Sequence, residues 1–174
     1  MKTIYFDKEI SSKTIKALMK ELNELKVINN EKIYLYFTSA GGYVDASEVF
    51  IDFINNLYPY KDNLIMVAGG FLMSAGLTIF LNTKTKKRFM DYDTLIIFHI
   101  ATSEIDFRDN QKEESINSVN LKSLEDMKKK YLEWSKNCGL NTKEFKKLKD
   151  GEDLIFRASR LKTICTKLGL EIVN

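Results

Sequence analysis

Ile15, Leu18, Met19, Leu22 and Leu25 recur at spacings of three and four and form one face of a helix, with Ser11 or Ser12 placed to cap it. Before it, residues 3–6 read as a short strand. After it, the β-branched and aromatic run 32–38 (KIYLYFT) predicts a buried strand ending in the turn Ser39-Ala40-Gly41-Gly42. A second amphipathic helix presents Ala46, Val49, Phe50, Phe53, Ile54 and Leu57 on one side, and Pro59 stops it.

Residues 64–81 (LIMVAGGFLMSAGLTIFL) carry no charge and reach the ~18-residue length of a membrane helix. Gly69, Gly70 and Gly76 interrupt that run, and a Gly-Gly pair breaks a helix. The better division is a strand over 64–68, a glycine turn, and a buried helix over 73–81 that contains Ser74. Two further strands follow, 87–91 and 94–100, joined at Tyr92-Asp93.

Asn110 with Glu113 makes a capping box for a long helix reaching about Asn137. Its apolar positions, Ile116, Val119, Leu124, Met127, Tyr131 and Trp134, are sparse for its length, which predicts a projecting helix rather than a core one. Asn141 with Glu144 caps a short helix, a last helix spans 159–168 with Gly169 at its end, and residues 171–173 form a closing strand. Strands alternating with helices predict an α/β fold, without an internal repeat.

Composition narrows the chemistry. At 174 residues the chain is expected to be a single domain, 1–174. Two cysteines, Cys138 and Cys165, exclude a disulfide framework and point to a reducing compartment, so the expected location is cytoplasmic. With one histidine and no Cys-x-x-Cys pair, no zinc site is expected. A net charge of +3 gives no case for nucleic acid, and the basic stretches 84–88 and 143–149 read as solvated surface. The charged start (Lys2, Asp7, Lys8, Glu9) predicts no signal peptide.

Three features carry possible chemistry, and each also has a plain structural explanation. Ser39-Ala40-Gly41-Gly42 leaves a strand and opens a helix, so its N–H groups either face an anion or simply make a turn. Ser74 stands where a glycine-rich turn becomes a helix, as a nucleophile on a sharp strand-to-helix turn does, but also as an ordinary N-cap or packing residue does. His99 ends the apolar strand Leu95-Ile96-Ile97-Phe98. Being the only histidine, it is the base of any imidazole chemistry the chain performs, unless its role is structural.

Taken in order, these residues resemble the proteolytic subunit of the Clp protease, a serine peptidase of the ClpP/crotonase-like fold. Ile33-Tyr34-Leu35-Tyr36-Phe37-Thr38-Ser39-Ala40-Gly41-Gly42 is similar to that family's strand ending in Ser-Pro-Gly-Gly. Gly70-Phe71-Leu72-Met73-Ser74-Ala75-Gly76 resembles its Gly-x-Ala-Ala-Ser-Met-Gly, and Lys87-Arg88-Phe89 through Phe98-His99 resembles its Lys-Arg-Tyr…Val-Met-Ile-His. Ser74 and His99 stand 25 residues apart, as in the family.

The resemblance implies a spiral of β-β-α units with a projecting handle over about 100–138. It also implies Ser74 as nucleophile, His99 as general base, and the N–H groups of Gly42 and Ala75 as the oxyanion hole. Lys149-Asp150-Gly151-Glu152 resembles Arg-Asp-Thr-Glu, which makes Asp150 the orienting acid and Asp153 the fallback. The implied activity is hydrolysis of peptides or unfolded protein by a homo-oligomer, ring-shaped in the family, with no cofactor, metal, nucleic acid or membrane. A Clp-type ATPase partner is not expected, because the likeness begins almost at Met1 and the family's preceding axial-loop segment has no counterpart. Two alternatives stand beside this: an inactive structural or regulatory subunit whose groove Leu72 and Met73 obstruct, and a crotonase-type enzyme acting on acyl-CoA.

Overall fold

The computed structural model describes residues 1–25, 31–99, 129, 132–133, 140–161 and 170–173. They fall into two compact units, one of residues 1–98 with 155–174 and one of residues 99–154. The first is built on a seven-stranded sheet.

Strand β1 (Lys2–Phe6) pairs in parallel with β2 (Ile33–Ser39), and β2 in parallel with β3 (Leu64–Met73). Helix α1 (Ser12–Glu24) connects the first two strands and buries Ile15, Leu18 and Leu22. Ser11 is its cap: its hydroxyl accepts from the Thr14 N–H, and the Thr14 hydroxyl accepts from the Ser11 N–H. Ser11→Ala removes half of that reciprocal pair and is expected to lower stability by about 1 kcal/mol, read from a urea midpoint.

Helix α2 (Val44–Asp52) buries Ala46, Ser47 and Phe50, then widens into one π-turn, Phe53–Leu57. The chain leaves the helix at Tyr58, the residue before Pro59, because proline disfavours helical backbone in its predecessor. The Tyr58 hydroxyl donates to the Leu22 carbonyl at 3.3 Å, and burial pushes its phenol up to about 12.

The uncharged run 64–81 is ten residues of strand followed by the nine of helix α3 (Ser74–Asn82). Among the described residues no helix is long and apolar enough to cross a membrane. The expected turn at Gly69-Gly70 is not one. The strand continues through both glycines, and the pairing with β2 shifts register there, from Phe37↔Ala68 to Ser39↔Leu72. Gly70 takes φ +69°, which absorbs the irregularity as a bulge rather than a reversal. The bulge lets one strand serve two partners: its first half pairs with β4 (Lys87–Asp91) and its last residues, Phe71–Met73, with β5 (Leu95–Phe98), all in parallel.

The second half of the chain differs from its sequence reading in two places. A short strand, β6 (Leu154–Arg157), pairs with β5 and was not foreseen. A 3-10 turn, Ala158–Leu161, stands where the last helix was expected to start, and the rest of that helix, 162–168, with Gly169 after it, lies outside the described residues. The closing strand β7 (Leu170–Val173) is present and pairs with β4. In the unit of residues 99–154, Asn141 and Glu144 cap helix α4 (Thr142–Lys149) reciprocally, as expected. The projecting helix over 110–137 and the segment 102–107 before it lie outside the described residues apart from 129, 132 and 133.

Strand β2 was expected to be buried, yet only alternate residues are. Ile33, Leu35 and Phe37 face the core, while Tyr36 on the opposite face is exposed and stacks on Tyr5 of β1 at 5.1 Å. The alternation is that of a sheet covered on one side along these two strands.

Candidate active site

Parallel strands deliver their carboxyl ends to one edge of a sheet, where the following loops can meet. Here β2 ends at Ser39 and β3 at Met73. The two chain segments that follow, Ala40-Gly41-Gly42 and Ser74-Ala75-Gly76, pack against each other. A Cβ on Gly41 would stand 2.7 Å from the Ser74 Cβ, 3.0 Å from the Met73 carbonyl oxygen and 3.4 Å from the Ala75 nitrogen. On the other strand's account, a Cβ on Gly76 would stand 2.8 Å from the Ser39 Cβ. Only glycines at 41 and 76 allow this approach of backbone to backbone.

Ser74 enters α3 with φ +47°, the one positive φ of a non-glycine among the described residues. A left-handed backbone at a residue with a Cβ costs about 1–2 kcal/mol and persists where the surroundings over-determine it. The change from extended Met73 (φ −126°, ψ 149°) to left-handed Ser74 to helix makes a sharp strand-to-helix turn, a geometry on which a nucleophilic hydroxyl can be presented. Ser74 is nearly buried, at 8% exposure, and its carbonyl accepts from the Thr78 hydroxyl at 3.1 Å.

The helix that follows has no side-chain cap, since Met73 stands at its N-cap position. Its first N–H groups, that of Ala75 included, therefore have no partner within the helix and carry the positive end of its dipole. That makes the amino end of α3 suited to a developing negative charge.

The opposite wall is the Gly41-Gly42 turn, held from behind by Ile10. The Ile10 N–H donates to the Gly41 carbonyl at 2.7 Å, and the Tyr43 N–H donates to the Ile10 carbonyl at 2.9 Å. Gly42 has φ +137°, and a Cβ there would stand 2.2 Å from the Ile10 carbonyl oxygen and 3.0 Å from its nitrogen. Those are backbone atoms of a fully buried residue and cannot swing aside. Gly42→Ala is expected to destabilise the fold by about 3 kcal/mol or more. Gly70→Ala, at φ +69° and with nothing nearer than the Thr38 side chain at 3.8 Å, should lose about 1 kcal/mol. Denaturant midpoints of the two variants give the comparison.

Gly42, Ser74 and Ala75 all belong to the first unit, which brings their turns together. His99 follows β5 directly, is half-buried, and is the first residue of the second unit. Within that unit, Asp150 is the exposed C-cap of α4, its N–H donating to the Lys146 carbonyl at 2.9 Å, and Asp153 is exposed three residues on. Of the two bulky residues before the serine, Leu72 is fully buried in the core and only Met73 is half-exposed. The sequence reading named Ser39 only as the start of the Ser39-Ala40-Gly41-Gly42 turn, with no role for its side chain, and did not single out Ile10. Small residues on both sides of the approach, Ser-Ala-Gly-Gly and Ser-Ala-Gly, were the available signal.

Comparison with known proteins agrees with this architecture. The chain is similar to ATP-dependent Clp protease proteolytic subunit 2 of Pseudomonas aeruginosa, with 27% identity over 90 residues, 52% of this chain. That match spans 43% of the relative's length. A point mutant of ClpP1 from Listeria monocytogenes has the same fold, with a TM-score of 0.72 at 21% identity over 99% of this chain and 91% of that one. The Clp protease family description matches residues 1–160. The chain belongs to the Clp protease family.

Proposed function

We propose that this protein is a serine-type endopeptidase in which Ser74 is the nucleophile, His99 the general base and Asp150 the acid that orients it. The N–H groups of Gly42 and Ala75 form the oxyanion hole. The observation that carries the reading is the left-handed Ser74 at the carboxyl end of β3, packed against the Gly41-Gly42 turn at the uncapped end of α3. A strained serine between two sets of backbone N–H groups is the arrangement acyl transfer needs.

In this reading the Ser74 oxygen attacks the peptide carbonyl carbon as His99 takes its proton. The carbonyl electron pair moves to oxygen, facing the N–H groups of Gly42 and Ala75. Collapse breaks the C–N bond, and the amine leaves with the proton from His99. Water, deprotonated by His99, then releases the acyl group and restores Ser74. A serine hydroxyl is too weak an acid to react without such a base, which is why the single histidine matters. Met73, half-exposed beside the nucleophile, shapes the groove, whereas Leu72 supports the core from below.

Acyl transfer consumes no nucleotide, so short peptides are expected to be cleaved with no ATPase present. The reading includes a homo-oligomer, with Tyr43, Leu57 and Ile155, each more than half exposed, as apolar side chains available to it. It also keeps the cytoplasm as the place of action, which two cysteines in 174 residues fit.

The test is intact-mass spectrometry after exposure to a fluorophosphonate, on wild type and Ser74→Ala in parallel. One adduct on wild type and none on the variant is the expected result. A folded wild type that takes no adduct would overturn the peptidase reading in favour of a structural subunit.

A further inference from the structure

We infer that Ser39 is a positioning residue for the oxyanion hole, an inference that rests on the peptidase reading above and adds a residue to its machinery. Ser39 is 1% exposed, and its hydroxyl has two backbone partners on different segments. It donates to the Lys8 carbonyl at 2.8 Å and accepts from the Gly41 N–H at 3.1 Å. Two residues along from Lys8, the Ile10 N–H donates to the Gly41 carbonyl. The segment Lys8–Ile10 thus grips Gly41 at both polar groups, directly at its carbonyl and through the Ser39 hydroxyl at its N–H.

This double grip has a geometric consequence for the next amide. The Gly41–Gly42 peptide is trans, so its N–H and carbonyl point in opposite directions. With the carbonyl committed to Ile10, the Gly42 N–H is turned away from Ile10. Gly41 has φ +97° and no Cβ, so nothing in its own side chain resists rotation of that peptide. The restraint has to come from outside: Ile10 holds the carbonyl of that peptide, and the Ser39 hydroxyl holds the preceding peptide, Ala40–Gly41, by the Gly41 N–H, so that both sides of the Gly41 Cα are fixed. Ser39 also lies against Gly76, where an added Cβ would meet the Ser39 Cβ at 2.8 Å and its hydroxyl oxygen at 3.2 Å. Ser39 therefore holds the Gly41-Gly42 turn through its hydroxyl while its side chain packs against Gly76 in the first turn of α3, next to the second donor. A preorganised hole works because its donors do not reorient during the reaction.

The experiment measures wild type, Ser39→Ala and the near-isosteric Ser39→Cys with a short peptide substrate and a matching peptide aldehyde. The aldehyde adds the Ser74 oxygen to its carbonyl carbon and leaves an oxyanion or hydroxyl where the tetrahedral intermediate has one. For Ser39→Ala, kcat is expected to fall about 10- to 100-fold with KM within about threefold, and aldehyde affinity to weaken by the same factor as kcat. Ser39→Cys, whose sulfur is a weaker hydrogen-bond partner, should lie between. A purely structural hydroxyl would lower the thermal midpoint and leave kcat and aldehyde affinity alone. That result on a folded Ser39→Ala, or on Ser39→Cys should the alanine variant not fold, overturns the inference and leaves the peptidase reading intact. A wild type inert to substrate, aldehyde and fluorophosphonate overturns both.

Discussion

Ser74→Ala is expected to lower peptide turnover by about 10⁴-fold or more, and Ser74→Gly to do the same while raising stability by about 1 kcal/mol. The two variants remove the same hydroxyl and differ at the backbone. Alanine keeps a Cβ at φ +47° and so keeps the strain, whereas glycine adopts that conformation freely. The relief outweighs the extra freedom glycine brings to the unfolded chain because the residue is at the first position of α3, not within it. The Ser74 Cβ faces Gly41 and not a packed side chain, so its removal opens little space. Thermal midpoints in the order Ser74→Gly above wild type, with Ser74→Ala close to wild type, are the expected pattern. A glycine variant no more stable than wild type would mean that the left-handed turn stores no strain. Stability gained as activity is lost is the mark of a residue held in place for chemistry.

How much of this was legible depended on the range of the interaction. Ser11, Ile15, Leu18 and Leu22 sit within three or four residues of each other, and both the cap and the buried face of α1 follow from those spacings. The Asn141 and Glu144 box was legible for the same reason. Gly69-Gly70 was misread because a local rule equates paired glycines with a break, while the sheet on both sides keeps the strand running and uses them for a bulge. Strand β6 follows the Gly151 turn with only four residues and no clear alternation, so its pairing with β5 was invisible locally. The exposed face of β2 was hidden by the apolar character of tyrosine, which reads as buried although Tyr36 is stacked on Tyr5 at the surface.

The site divides the same way. Ser74 and the Gly41-Gly42 turn stood out by position at strand ends, and their candidate roles came from resemblance to a family. The contacts that build the site join Lys8 to Ser39 and Gly41 to Ser74, about thirty residues apart in sequence, and only the parallel pairings of β1 with β2 and of β2 with β3 bring them together. Side-chain identity announces chemistry, whereas the restraint on a backbone N–H group is a property of the folded sheet.

His99→Ala is expected to lower turnover as far as Ser74→Ala does, because residues of one catalytic unit do not contribute independently. The double variant should be no slower than either single one, and that non-additivity is the signature to measure. The two candidate carboxylates give a sharper contrast. Both Asp150 and Asp153 are exposed, so neutralising either should leave stability nearly unchanged. Only the one that orients His99 should matter to rate. Asp150→Asn is expected to reduce kcat by about 10³- to 10⁴-fold, since an imidazole without its carboxylate loses both its orientation and the stabilisation of its protonated form. Asp153→Asn should stay within about threefold of wild type. Peptide kinetics on the two asparagine variants, with fluorophosphonate labelling of Ser74 alongside, separates them. The reverse ranking would move the orienting role to Asp153 and keep the rest of the proposed mechanism, because the Ser74 turn and the Gly41-Gly42 turn beside it are built without either carboxylate. Full activity in both variants would leave a Ser-His pair working without an acid, and an aspartate triad would no longer describe the proposed site.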